Sequence, residues 1–279
     1  MKIKKKVVDR IIQQLRRYQP ILTEARSRDI SESDTVVIVI DMLADVLGYR
    51  KFSEITTEYS IRSTFVDLAV KVGPDVRFLI EVKHIGTTLK EQHVKQAIDY
   101  GANNGIEWVI LTNAGRWQVY KIHFGQPIDK SVVFDIDLFE ANPRSSQVVS
   151  CFGSLSREGF TPSSMSQVFQ QQQAMSRFTL AAVMLSDSVT KVVRRELRRM
   201  SPGLKVDSET LRSIVESEVL KREVVESDEA RQAIAKLKKL SRAKSSPKRM
   251  GTEEPSKPSQ SELVVMPSVP PETPTDHRP

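Results

Sequence analysis

Apolar residues recur at helical spacing at the start of the chain, at Ile3, Val7, Val8, Ile11, Ile12 and Leu15, which predicts a basic amphipathic helix limited by Pro20. The polar stretch "DISESDT" supplies capping residues for a second helix in "VVIVIDMLADVLG", ended by Gly48. Its β-branched start would also suit a strand, but the apolar period continues over more than three turns. Strand composition follows in "YRKFSEITTEYSI", "STFVDLAVK" and "VRFLIEVKHI", the last two separated by a turn at "VGPD". A helix is expected from about Thr88 to Asn103. After Gly105 come the strands "EWVILTN" and "RWQVYKIHF", with a turn at "AGR". Helix, three strands, helix, two strands is the order of an α/β domain ending near Asp137, with a mixed sheet clad by helices.

Past Pro143 strand formers thin out. "FTLAAVMLSDSVTKVVRRELRRM", "SETLRSIVESEVLKREVV" and "SDEARQAIAKLKKLSRA" read as three helices. After Ser245 lie eight of the 14 prolines, among Ser, Glu and Thr, a composition of disorder. The expected organisation is an N-terminal basic helix over 1–30, an α/β domain over 31–140, a helical module over 141–244 that positions or dimerises it, and a disordered tail over 245–279. The helical half is the expected surface for a second copy or a protein partner.

Composition narrows the function classes. No apolar run approaches the length of a membrane span and the N-terminal segment carries charges through its apolar positions, so a cytoplasmic protein without a membrane partner is expected. The first helix could still lie on a membrane surface, though nothing else supports that. Cys151 is the single cysteine, which leaves no intramolecular disulfide and no cysteine zinc site. The histidines lack ligand spacing, and "GANNG" lacks the spacing of a dinucleotide fingerprint. His84 is expected to turn to the face opposite Lys83, as a structural histidine, and Trp108 and Trp117 to be core residues. A net charge of +7 favours an anionic partner. The cations crowd two places, Lys2 to Arg17 and Lys191 to Arg199; each patch is either a phosphate-tracking surface or a solvated helix face.

The chemistry concentrates between Asp67 and Tyr100. Strand alternation puts Leu79, Glu81 and Lys83 on one face and Phe78, Ile80 and Val82 on the other. A hairpin centred on Pro74 sets Asp67 directly opposite Glu81, with Cβ atoms roughly 5 Å apart, which is unfavourable unless a cation lies between them. Mg²⁺ or Mn²⁺ would relieve it, held by Asp67, Glu81 and the backbone carbonyl of Val82, with Lys83 placed to orient a water or to stabilise charge on a phosphoryl oxygen. The alternative is a surface ion-pair group worth less than about 1 kcal/mol. Against it, both faces of these strands are apolar, and doubly buried sheets rarely carry acids. In the following helix Gln92, Gln96 and Tyr100 form one polar stripe that is either solvated or able to bond phosphate and water.

These residues carry a resemblance. From about Glu32 to Ile122 the chain resembles the nuclease domain at the N-terminus of type I restriction enzyme motor subunits, within the PD-(D/E)xK superfamily. The likeness rests on "SESDT", "LADVLGY", Asp67 in "FVDLAV", "IEVK" at Ile80 to Lys83, "QAIDY" at Gln96 to Tyr100, and the strand with Trp117 and Tyr120. It implies a restriction-endonuclease-like fold and a DNA-cleaving activity. It further implies metal binding by Asp67 and Glu81, completed by Glu32, with Lys83 assisting the attacking water, and an accessory role for Gln96 and Tyr100. Val66 stands where the superfamily name has proline. No GxxxxGK[ST] loop is present, so no ATP-driven motor is expected in this chain. Two classes of function stay open: a metal-dependent deoxyribonuclease, and a catalytically silent nuclease-fold module that binds nucleic acid or a protein. Glu32 separates them, since it should approach Asp67 and Glu81 in an active site.

Overall fold

The computed structural model describes residues 3–61 and 64–245. Two long helices lead, α1 (Lys5–Ser27) and α2 (Glu32–Asp45), then the single turn α3 (Lys51–Glu54). Strands β1 (Ile55–Ile61), β2 (Thr64–Val72) and β3 (Asp75–Val82) precede helix α4 (Glu91–Asn103). Strands β4 (Trp108–Thr112), β5 (Arg116–His123) and β6 (Asp129–Asp137) follow. The rest is helical: α5 (Ser146–Leu155), α6 (Pro162–Ala174), α7 (Arg177–Met184), α8 (Asp187–Met200), α9 (Ser208–Ile214), a π-helical turn (Val215–Val219), α10 (Arg222–Glu226) and α11 (Asp228–Ser245). Met1–Ile234 form one compact unit, and Ala235–Pro279 a second whose described part is the end of α11. The tail expected to be disordered lies, from residue 246 on, outside the described residues.

The six strands lie side by side in chain order. All neighbours are antiparallel except β3 and β4, which run parallel and are joined by α4. This makes a mixed α/β sheet covered on both faces. On one face Leu68, Val70, Phe78, Ile80, Ile110 and Trp117 join the buried stripe of α1 (Val7, Ile11, Leu15, Leu22), with Val39, Met42 and Leu43 of α2 and Phe152 of α5. On the other, Ala69, Leu79, Val109 and Leu111 meet Val94, Ala97 and Ile98 of α4. Burial on both sides explains why these strands read as apolar runs with little alternation.

The β2–β3 hairpin turns at Gly73 and Pro74, where Gly73 takes a left-handed φ of +65° that only glycine adopts without strain. The turn pairs Val72 with Asp75 and Lys71 with Val76, one residue out of the register expected from a centre on Pro74. A bulge between Val70 and Lys71 then restores that register, so Val70 meets Phe78 and Leu68 meets Ile80. Pairing runs to Leu68 and Ile80; extended one step further, the same register sets Asp67 against Glu81.

Four expectations need correction. Helix α1 does not stop at Pro20 but runs on to Ser27. The proline forfeits one backbone bond, and burial of Tyr18, Leu22 and Ala25 in the core outweighs the loss. A sixth strand, β6, follows the two expected after α4; its acids and lysine mask an apolar set of Val133, Phe134 and Ile136 buried at the sheet edge. The helix expected over 178–200 is two, α7 and α8, broken where Ser186 takes an extended conformation. The segment 208–225 breaks likewise, with Leu220 extended.

Candidate active site

The parallel pair β3 and β4 brings two strand C-termini to one edge of the sheet, the position where open α/β sheets present their ligands. The site is built on that edge. Glu81 pairs with Leu111 and Val82 with Thr112, and the Lys83 N–H donates to the Thr112 carbonyl at 2.8 Å, so the backbone carrying Glu81 and Lys83 is fixed by the sheet. Asp67 comes from the other neighbour, β2. Its Oδ2 accepts the Val82 N–H at 2.7 Å, which anchors the carboxylate beside Glu81.

Glu81 is 7% exposed. Its Oε1 accepts from Lys83 Nζ at 2.7 Å, and the same ammonium lies 3.9 Å from Glu32 Oε1. Glu32 arrives from the first turn of α2, where Ser31 caps the helix by accepting the Asp34 N–H. The other oxygen of Glu32 accepts the His84 N–H at 3.1 Å. Glu32, Asp67, Glu81 and Lys83 are thus gathered in one place, three carboxylates against one ammonium. Two negative charges remain uncompensated within the group.

The titration behaviour follows from that imbalance. Burial raises the pKa of Asp67 and outweighs the Val82 N–H and the Lys83 charge, with Glu32 adding to the rise. Burial also raises Glu81; the Lys83 hydrogen bond opposes it, and the charges of Asp67 and Glu32 reinforce it. For Lys83, burial pulls the pKa down but the hydrogen bond to Glu81 and the three surrounding carboxylates win, so the ammonium is held above its usual range. The site therefore favours positive charge.

The donor set fits a hard divalent ion. Asp67 and Glu81 offer carboxylate oxygens from facing strand positions, and such an ion would cancel the two surplus charges. Among the described residues no three Asp, Glu, His or Cys side chains converge as metal ligands, since Glu32 is drawn back onto Lys83 and His84. Two carboxylates with water and substrate oxygens is a usual magnesium environment.

Gln96 and Tyr100 do not join this group. Gln96 Nε2 donates to the Phe65 carbonyl at 2.9 Å, tying α4 to β2 two residues before Asp67. Tyr100 is buried against Tyr59, edge to face at 6.0 Å, and among the described residues its buried hydroxyl has no hydrogen-bond partner. Trp108 and Trp117 are both buried, as expected. His84 lies past the end of β3 and is held at the rim of the site instead of across the sheet. Its Nε2 lies 3.4 Å from Asp29 Oδ1, and its Nδ1 accepts the Gly86 N–H. Accepting that bond leaves the neutral ring its proton on Nε2, facing Asp29. Asn113 also escaped notice within "TN". Its amide donates to the carbonyls of Ile85 and Thr87 and its oxygen accepts the Arg116 N–H, which pins the chain leaving Lys83 to the β4–β5 turn. A buried asparagine at a strand end was the available signal.

A family model described as the type I restriction enzyme R protein N terminus (HSDR_N) matches residues 37–132. The matched stretch runs from within α2 to within β6, about a third of the chain, and contains Asp67, Glu81, Lys83, Gln96 and Tyr100 but not Glu32. No curated protein and no solved structure matches the chain.

Proposed function

We propose that the chain is a Mg²⁺- or Mn²⁺-dependent nuclease that hydrolyses phosphodiester bonds in DNA. The observation that carries this reading is the pair of facing acids, Asp67 and Glu81, held at a sheet edge with Lys83 on Glu81 and two negative charges left over. The family match over 37–132 supports it, because that family is a part of restriction enzymes. Asp67 and Glu81 would hold the ion, with the Val82 carbonyl beside them and Glu32 behind Lys83. When bound, the ion supplies Lewis-acid stabilisation of the phosphoryl oxygens and lowers the pKa of water. The Lys83 ammonium stands where it can orient the attacking water and stabilise the charge that grows on phosphate. Glu32 and Glu81 keep that ammonium in place and protonated. The Val82 N–H holds Asp67 in place and favours its ionised form, and Gln96 steadies β2 behind it.

The test is cleavage of supercoiled, linear and single-stranded DNA in Mg²⁺ or Mn²⁺, with Asp67→Ala and Lys83→Ala alongside the wild type. The expected result is metal-dependent cutting that both variants lose while still binding DNA. Binding without cutting by the wild type would favour a silent nuclease-fold module.

A further inference from the structure

Helix α8 concentrates positive charge outside the site. It carries Lys191, Arg194, Arg195, Arg198 and Arg199 against only Asp187 and Glu196. Asp187 is engaged by Arg212 of α9, and Glu196 is shared by Arg195 and Arg199. Among the described residues Lys191, Arg194 and Arg198 have no acidic partner. At 100° per residue Lys191, Arg194, Arg195 and Arg198 fall within about 100° of arc, one stripe running about 10 Å along the axis. Lys191, Arg195 and Arg198 are exposed, while Thr190 is buried on the packed side. Like charges three and four residues apart weaken a helix, so the stripe opposes the stability of its own element.

We propose that this stripe is a backbone-binding surface for duplex DNA, separate from the hydrolytic site. Several cations in line match a polymer with regularly spaced charges better than they match a single phosphate. The side chains are long and the face is convex and solvated, which suits phosphate contact without base readout. Choosing DNA as the polyanion rests on the nuclease reading above; the extended anionic character of the ligand does not.

The experiment measures binding of the full-length chain to a fluorescent 30-base-pair duplex by anisotropy, in EDTA and across a salt series. Wild type is compared with Lys191→Gln/Arg194→Gln/Arg198→Gln and with the charge-conserving Lys191→Arg/Arg194→Lys/Arg198→Lys protein. Three lost contacts should flatten the slope of log affinity against log salt by about 2.7 and weaken low-salt binding by tenfold or more. The charge-conserving protein should behave as wild type. Circular dichroism and thermal melting of the glutamine variant confirm that it folds. An unchanged slope in that variant overturns the proposal, as does stronger binding of wild type to anionic vesicles or polyglutamate than to DNA at equal charge. Because metal is absent, failure of the nuclease reading leaves this result untouched.

Discussion

Two glutamates, Glu54 at the end of α3 and Glu81 on β3, are 6% and 7% exposed, yet their protons are held in opposite ways. Arg157 donates from Nε to both oxygens of Glu54 and places Nη2 within 2.8 Å, and the Arg50 N–H adds a further bond. Glu54 is accordingly held below the usual carboxylate range, chiefly by the Arg157 hydrogen bonds. Glu81 has one lysine, shared with Glu32, and a second acid opposite; burial and that acid push it up. A carboxylate buried for structure is neutralised by the protein itself, and one left short of positive charge is a candidate for binding a cation from outside.

The largest expected effect separates the two acids by activity. Lys83→Ala should lower metal-dependent cleavage about 100-fold or more, since a charge-stabilising donor contributes on that scale. Asp67→Asn should be at least as damaging, because it removes a metal ligand. Arg157→Leu should leave the chemistry in place but cost about 3 kcal/mol of stability, the lower end for a broken buried pair because Arg157 is partly exposed. Denaturant unfolding measures the second effect and DNA cleavage the first. A loss of cleavage equal in both variants would erase the contrast.

The same contrast sets opposite pH dependences. Asp67 and Glu81 have folded pKa values above the unfolded values of about 4, so the folded chain holds more protons over that window and stability falls as pH rises through it. Glu54 is lowered, so its contribution is present above about pH 4 and is lost as pH falls through its folded value. In melting experiments Asp67→Asn, which retains an acceptor for the Val82 N–H, should match wild type in acid and exceed it in stability at neutral pH. Glu54→Gln should be less stable than wild type at neutral pH and converge with it in acid. Mg²⁺ should raise the melting temperature of wild type more at pH 7 than at pH 5 and leave Asp67→Asn unmoved.

Smaller effects sort the residues around the site. Gln96→Ala removes one hydrogen bond to β2 and should cost about 1 kcal/mol, with a modest fall in activity. Tyr100→Phe removes a buried hydroxyl that has no hydrogen-bond partner among the described residues, so stability should hold or rise by up to about 1 kcal/mol and cleavage should persist. A large loss of cleavage in Tyr100→Phe would mean that the hydroxyl reaches substrate.

Much of this was legible before the fold was known, for identifiable reasons. Alternation in "FLIEVK" and the turn residues at Gly73 and Pro74 are local signals, and they suffice to place Asp67 opposite Glu81. The bulge at Val70 is not local; it cancels the one-residue error in the turn centre, so Val70 meets Phe78 and Leu68 meets Ile80 in the register expected from Pro74. Glu32 was reached through family resemblance, because contact between residues 32 and 83 has no periodic signature. Arg157 was missed for the same reason, lying 103 positions from Glu54. Strand β6 hid behind Asp129, Lys130, Asp135 and Asp137, since an edge strand needs only a few apolar residues to be held. Pro20 misled because a breaker acts locally, whereas its helix is held by tertiary packing.

The central claim is that Asp67 and Glu81 await a divalent cation. Titration of the full-length chain with Mn²⁺, followed by electron paramagnetic resonance at pH 7, tests it without substrate. The account predicts one bound ion per chain, lost in both Asp67→Asn and Glu81→Gln and retained in Glu54→Gln. No binding by wild type, or equal binding by Asp67→Asn, would contradict it.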